Sequence, residues 1–126
     1  MIKQRLIFVV DDDPMYREML EMHLGDNPKN IVKAFSTGEE CLKHLYESPD
    51  FIILDYNLDT VEKDALDGMK ILDKIRKEDK KIKIIMLSAQ EQYGVAMQTI
   101  RHGAEQYFIK DETAFQKIDM VPSNIL

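Results

Sequence analysis

Short apolar runs alternate with segments of helical period along the whole chain. Arg5–Val10, Ile31–Phe35, Phe51–Leu54, Ile82–Leu87 and Gln106–Ile109 are 4 to 6 residues long and each carries β-branched or aromatic side chains, the signature of strands. Between them Pro14–Leu24, Gly38–Tyr46, Gly68–Lys77, Glu91–His102 and Glu112–Asp119 repeat apolar positions three or four residues apart, as Leu42, Leu45 and Tyr46 or Met69, Leu72 and Ile75 do. Pro14 suits a first helical turn, Ser36 with Glu39 and Thr37 with Glu40 have capping-box spacing, and Gly25 and Gly103 suit helix exits. Five β-α units in strict alternation predict a parallel sheet with right-handed crossovers. Strands such as Ile7-Phe8-Val9-Val10 and Ile84-Ile85-Met86-Leu87 are apolar on both sides, so helices must cover both faces. The predicted fold is a doubly wound α/β sandwich of three layers. Residues 1–120 form one domain in this reading, and residues 121–126 a C-terminal tail or the start of a linker.

Composition narrows the function classes. The chain has 126 residues, 44% hydrophobic and 32% charged, an ordinary globular balance for one domain. A formal charge of −6 has the wrong sign for phosphate neutralisation, which disfavours direct nucleic-acid binding. The single cysteine, Cys41, cannot form an intramolecular disulfide, so a reducing, cytoplasmic setting is expected. The longest apolar run, Leu6–Val10, is too short for a signal-peptide core or a membrane span and stops at three aspartates; the chain is expected to begin near Met1 and to have no membrane partner.

In open parallel sheets the ligand site lies beyond the carboxyl ends of the strands. There the sequence places Asp11, Asp12 and Asp13 after the first strand, Asp55 after the third, Ser88 after the fourth and Lys110 after the fifth. Carboxylates from neighbouring strands repel unless a cation sits between them, and hard oxygen ligands suit Mg²⁺. A hydroxyl and an ammonium beside a metal-bound carboxylate fit an anion with several oxygens, and phosphoryl chemistry fits best. Asp13 reads both as a third acidic ligand and as the cap of the helix opening at Pro14, and the cap is the favoured reading.

Val9-Val10-Asp11-Asp12, Leu54-Asp55, Leu87-Ser88-Ala89 and Tyr107-Phe108-Ile109-Lys110, in that order on those strand ends, resemble the receiver domain of two-component response regulators over essentially the whole chain. The resemblance implies a flavodoxin-like sheet of order 2-1-3-4-5 and an Mg²⁺-dependent domain. Such a domain takes a phosphoryl group from a sensor histidine kinase or phosphotransfer protein, and catalyses its own phosphorylation and dephosphorylation. Asp55 is then the phosphoacceptor. Asp11, Asp12, Asp55 and the backbone carbonyl of Asn57 hold the metal, with Asp12 the more direct ligand of the acidic pair. Ser88 would bond a phosphoryl oxygen, Lys110 would pair with the phosphoaspartate, and Ser88 and Tyr107 would form the switch; Tyr107 reads equally as a plain strand aromatic. The donor would dock near the first helix, and output to an effector domain or a homodimer would pass through the fourth helix, fifth strand and fifth helix.

Two departures stand out. Thirteen positions separate Asp55 from Gly68, several more than is usual in the family, so Asp59–Leu66 reads as an insertion, either a tolerated surface loop or an extra helical turn beside the site. Asp111 follows Lys110 where the family commonly has proline, which puts the cis bond usual there in doubt. Gln90 and Asn57 occupy positions that tune phosphoryl lifetime in the family.

Other readings fail on particular residues. Thr60 and Leu66 break a calcium loop starting at Asp55, and no glycine-rich phosphate cradle occurs. A phosphohydrolase of the haloacid-dehalogenase type needs an aspartate where Asn57 stands. His23, His44 and His102 lie on three helices without ligand spacing, and Met15, Met19 and Met22 read as core and near-surface packing. A pseudo-receiver, the same fold used as a binding module without phosphorylation, is the remaining alternative; the intact Asp12, Asp55, Ser88 and Lys110 set argues against it.

Overall fold

A computed structural model describes residues 3–58, 65–89 and 93–125, with side chains through Val121. The strands are β1 (Arg5–Val10), β2 (Asn30–Phe35), β3 (Phe51–Asp55), β4 (Lys83–Ser88) and β5 (Gln106–Ile109). The helices are α1 (Pro14–Gly25), α2 (Gly38–Lys43), α3 (Gly68–Glu78), α4 (Tyr93–Arg101) and α5 (Ala114–Ile125). All neighbouring strands pair in parallel, in the order β2-β1-β3-β4-β5, as the sequence pattern and the family resemblance predict.

Alternation along the central strands divides the core in two. Phe8 and Val10 of β1, Ile52 and Leu54 of β3 and Ile84 and Met86 of β4 meet Cys41 of α2 and Ile71, Leu72 and Ile75 of α3. Their neighbours Ile7, Val9, Phe51, Ile53, Ile85 and Leu87 point the other way, against Leu20 and Leu24 of α1 and Ile118 and Val121 of α5. Successive strand side chains face opposite sides, so a strand apolar at every position requires helices on both. β2 and β5 form the edges and are only partly buried.

Helix ends follow local chemistry. Asp13 Oδ1 accepts the Met15 N–H at 3.0 Å and caps α1, as favoured from sequence. Thr37 Oγ1 accepts the Glu40 N–H at 3.2 Å and caps α2, so of the two capping candidates Thr37 is the one used. At Gly103 φ is +114°, which glycine adopts without strain; the Arg76 guanidinium of α3 bonds its carbonyl through Nε (3.0 Å) and Nη2 (2.6 Å).

Three expectations are corrected. The second helix stops at Lys43, short of Tyr46: a separate 3-10 turn, Leu45–Glu47, follows, closed by Ser48 at φ 56°, and it leaves Tyr46 exposed. The last helix runs through Ile125, not to Asp119, and so covers most of the segment read as a tail. Met15, Met19 and Met22 are 72%, 51% and 69% exposed, because α1 turns Leu20 and Leu24 inward and the methionines lie on its outer side. Helical spacing tells that residues share a face, not which face points in. Of the insertion, residues 59–64 lie outside the described residues, as do Gln90, Glu91 and Gln92.

Candidate functional site

Parallel pairing brings the four strand ends level. Val10 stands beside Leu54, Asp55 beside Leu87, and Ser88 beside Ile109, so the residues that close these strands share one edge of the sheet. The Tyr56 N–H bonds the Leu87 carbonyl at 2.8 Å and the Lys110 N–H bonds the Ser88 carbonyl at 2.8 Å, which carries the ladder past the last strand residues. The Asp11 N–H likewise bonds the Phe35 carbonyl at 3.1 Å. The side chains at this edge therefore rest on hydrogen-bonded backbone rather than on free loops.

Asp11, Asp12 and Asp55 are 1%, 7% and 3% exposed, and each offers a carboxylate oxygen within 4.8 Å of the other two. The Lys110 ammonium stands 2.8 Å from Asp11 Oδ2 and 3.4 Å from Asp55 Oδ1. Ser88, also buried, closes β4 at the same edge. The Asn57 N–H donates to Asp55 Oδ1 at 3.1 Å, and the Asp13 N–H donates to Asp11 Oδ1 at 2.9 Å.

Three buried carboxylates and the Lys110 ammonium, whose side chain is 14% exposed, crowd one edge, and a buried charge is costly unless paired. Burial above all, with Asp11 and Asp12 adding repulsion, pushes the Asp55 carboxyl up to about 7 against the pull of Lys110 and the Asn57 N–H. For Lys110, burial works against the charged form, but Asp55 and Asp11 outweigh it and hold the ammonium above its ordinary value. Three carboxylate oxygens this close could hold a small divalent cation with oxygen preference.

The predicted residues thus converge, with one exception. Asp11, Asp12, Asp55, Asn57, Ser88 and Lys110 meet at the edge, whereas Tyr107 sits midway along β5, half-buried against the α3 side of the core. With Gln106 and with Ala96, Met97, Ile100 and Arg101 of α4 it lines an open cavity of about 430 Å³. All peptide bonds among the described residues are trans, including Lys110–Asp111. Asp111 instead accepts the Thr113 N–H at 2.8 Å and the Thr113 hydroxyl at 2.6 Å, which closes a tight turn just after Lys110.

Sequence reasoning missed three neighbours. Arg17 Nη1 donates to the Asp11 carbonyl at 2.9 Å, and the Tyr16 ring lies under the Lys110 ammonium, 4.5 Å from its centroid. Both are helix positions that the apolar pattern treats as ordinary α1 residues. Gly68, at the start of α3, donates its N–H to the Tyr56 carbonyl at 2.9 Å, and a Cβ there would overlap the Asp55 carbonyl oxygen and the Tyr56 backbone. The Asp67-Gly68 pair marks this helix start in the sequence, but not the close approach behind it.

A family model described as "Response regulator receiver domain" matches residues 7–121. The chemotaxis protein CheY of Listeria monocytogenes is 30% identical over 105 residues, 82% of this chain and 84% of that protein. The nitrate/nitrite response regulator protein NarL of Escherichia coli is 30% identical over 108 residues, 83% of this chain but 47% of its own length. Among solved structures, a putative response regulator from Chloroflexus aurantiacus superposes with a TM-score of 0.82 at 30% identity, covering 98% of each chain. No helix among the described residues is long and apolar enough to cross a membrane.

Proposed function

Since this chain belongs to the response regulator receiver family of two-component systems, we propose that Asp55 accepts a phosphoryl group from a phosphohistidine of a sensor kinase or phosphotransfer protein. The observation that carries the reading is the buried cluster of Asp11, Asp12 and Asp55 with the Lys110 ammonium against two of its members. In this reading Asp11, Asp12, Asp55 and the Asn57 carbonyl hold Mg²⁺, which supplies positive charge that neutralises both the acceptor and the incoming group.

The chain's own residues supply the rest. An Asp55 carboxylate oxygen forms the new bond to phosphorus as the phosphorus–nitrogen bond to the donor imidazole breaks, and the imidazole leaves with the electron pair. Charge spreads over three equatorial oxygens, and the Lys110 ammonium and the Ser88 hydroxyl would contact two of them. Burial excludes bulk water, which strengthens those contacts. The product gains negative charge at the end of β3, and the pull on Ser88 transmits it to α4 and Tyr107.

We further propose that the receiver unit includes all of α5, that it works in the cytoplasm, that the donor docks along α1, and that output to an effector domain or a second copy passes through α4, β5 and α5. NarL, about twice as long as the segment it shares with this chain, shows one setting in which such a unit occurs.

The test is intact mass after incubation with Mg²⁺ and acetyl phosphate, beside Asp55→Ala and a chelated sample. The expected result is one labile phosphoryl adduct that needs both Mg²⁺ and Asp55. An unmodified wild-type chain, even with a cognate kinase present, would favour a pseudo-receiver that binds partners without phosphorylation.

A further inference from the structure

Beyond the carboxylates, the Lys110 ammonium has one more neighbour. Its Nζ lies 4.5 Å from the centroid of the Tyr16 ring, within the range in which an aromatic face attracts a cation. The ring is itself braced: Phe115 of α5 meets it edge to face at 5.7 Å, and Phe115 leans on His23 at 4.9 Å. His23 in turn holds the Asp119 carboxylate of α5 at 2.9 Å. The Tyr16 hydroxyl is buried and has no hydrogen-bond partner among the described residues, so it is the face of the ring that meets another group at the site. Burial and the nearby Asp11, Asp111 and Asp55 push the phenol up to about 12, so the ring is neutral near pH 7.

We propose that Tyr16 is a positioning residue for Lys110: its ring face holds the ammonium over the acceptor edge, and the α1–α5 contact behind it sets where the ring stands. The proposal rests on the reading of Lys110 as a contact of the transferred phosphoryl group. Without the ring, Nζ keeps its carboxylate partners but loses its aromatic contact. When Asp55 takes up a phosphoryl group and its contact with Nζ changes, that ring limits how far the ammonium strays.

The experiment compares wild type with Tyr16→Phe and Tyr16→Leu in two measurements. The first is the initial rate of adduct formation from acetyl phosphate with Mg²⁺. Tyr16→Phe keeps the face and is expected within about twofold of wild type, whereas Tyr16→Leu is expected to fall roughly 3- to 10-fold. The second needs no phosphorylation: the ring current should shift the Lys110 ε-methylene protons upfield in wild type and Tyr16→Phe, and the shift should vanish in Tyr16→Leu. Tyr16→Phe also removes an unsatisfied buried hydroxyl and is expected to be at least as stable as wild type. If Tyr16→Leu leaves the Lys110 protons where they were, or phosphorylates at the wild-type rate, the proposal fails while the acceptor reading stands. An inert wild type with the ring-current shift present overturns the acceptor reading, and Tyr16 then loses its role in the reaction.

Discussion

At the scale of single residues, Asp55 holds its proton more tightly folded than unfolded when no metal is bound. Its carboxyl moves from an ordinary 3.8 to about 7, chiefly through burial. A raised folded-state value means that the group's contribution to stability is fully present below about 3.8 and is lost as pH rises towards 7. In a chelated sample, stability from denaturant midpoints should therefore decline between these limits. Asp55→Asn cannot ionise and keeps an oxygen for the Asn57 N–H, so it should be more stable than wild type at pH 8 by roughly 1–3 kcal/mol and nearly equal at pH 4. Saturating Mg²⁺ should narrow the gap at pH 8. A variant less stable than wild type in the chelated sample at pH 8 would show that Asp55 is not under charge strain. The acids, the hydroxyl and the lysine were legible in the sequence because each directly follows an apolar strand. Tyr16 and Arg17 were not, since a helix residue reveals its neighbours only once its axis is placed against the sheet.

At the scale of elements, the third β-α junction is the most constrained. Gly68 lets α3 start against the end of β3, and its N–H bond to the Tyr56 carbonyl ties the helix to the residue after Asp55. Gly68→Ala would place a methyl on backbone atoms that cannot rotate away, so α3 or the β3 end must shift. A loss of roughly 1–3 kcal/mol in denaturant unfolding is expected, with slower phosphorylation from acetyl phosphate. If stability and rate both match wild type, the close approach has no consequence. Strands β1 and β5 were legible to the residue because apolar runs end abruptly at charged or polar positions. Helix ends were less so: α2 ends at Lys43 and gives way to a 3-10 turn closed by Ser48, and α5 continues past Asp119, where Val121 keeps the apolar spacing of Ala114 and Ile118 and packs in the core.

At the scale of the whole molecule, strict alternation and doubly apolar strands were enough to give the layers, and the strand order came from the family resemblance. What the period could not give was orientation, and the methionines of α1 show the result. Met15, Met19 and Met22, with Met97 of α4 and Met120 of α5, carry thioethers in water, while Met86 is sealed in the sheet. Dilute peroxide should therefore convert these five exposed methionines of the described residues to sulfoxides well before Met86, read by peptide mass, with little change in unfolding midpoint; early oxidation of Met86 or a collapsed midpoint would contradict this exposure map. A sulfoxide is polar and chiral where the thioether was soft and adaptable. Oxidative chemistry can thus rewrite the outer side of α1 while the fold and the acidic edge stay intact, so an oxidised chain would keep its reactivity towards a small phosphodonor and lose it towards a protein that must grip that helix.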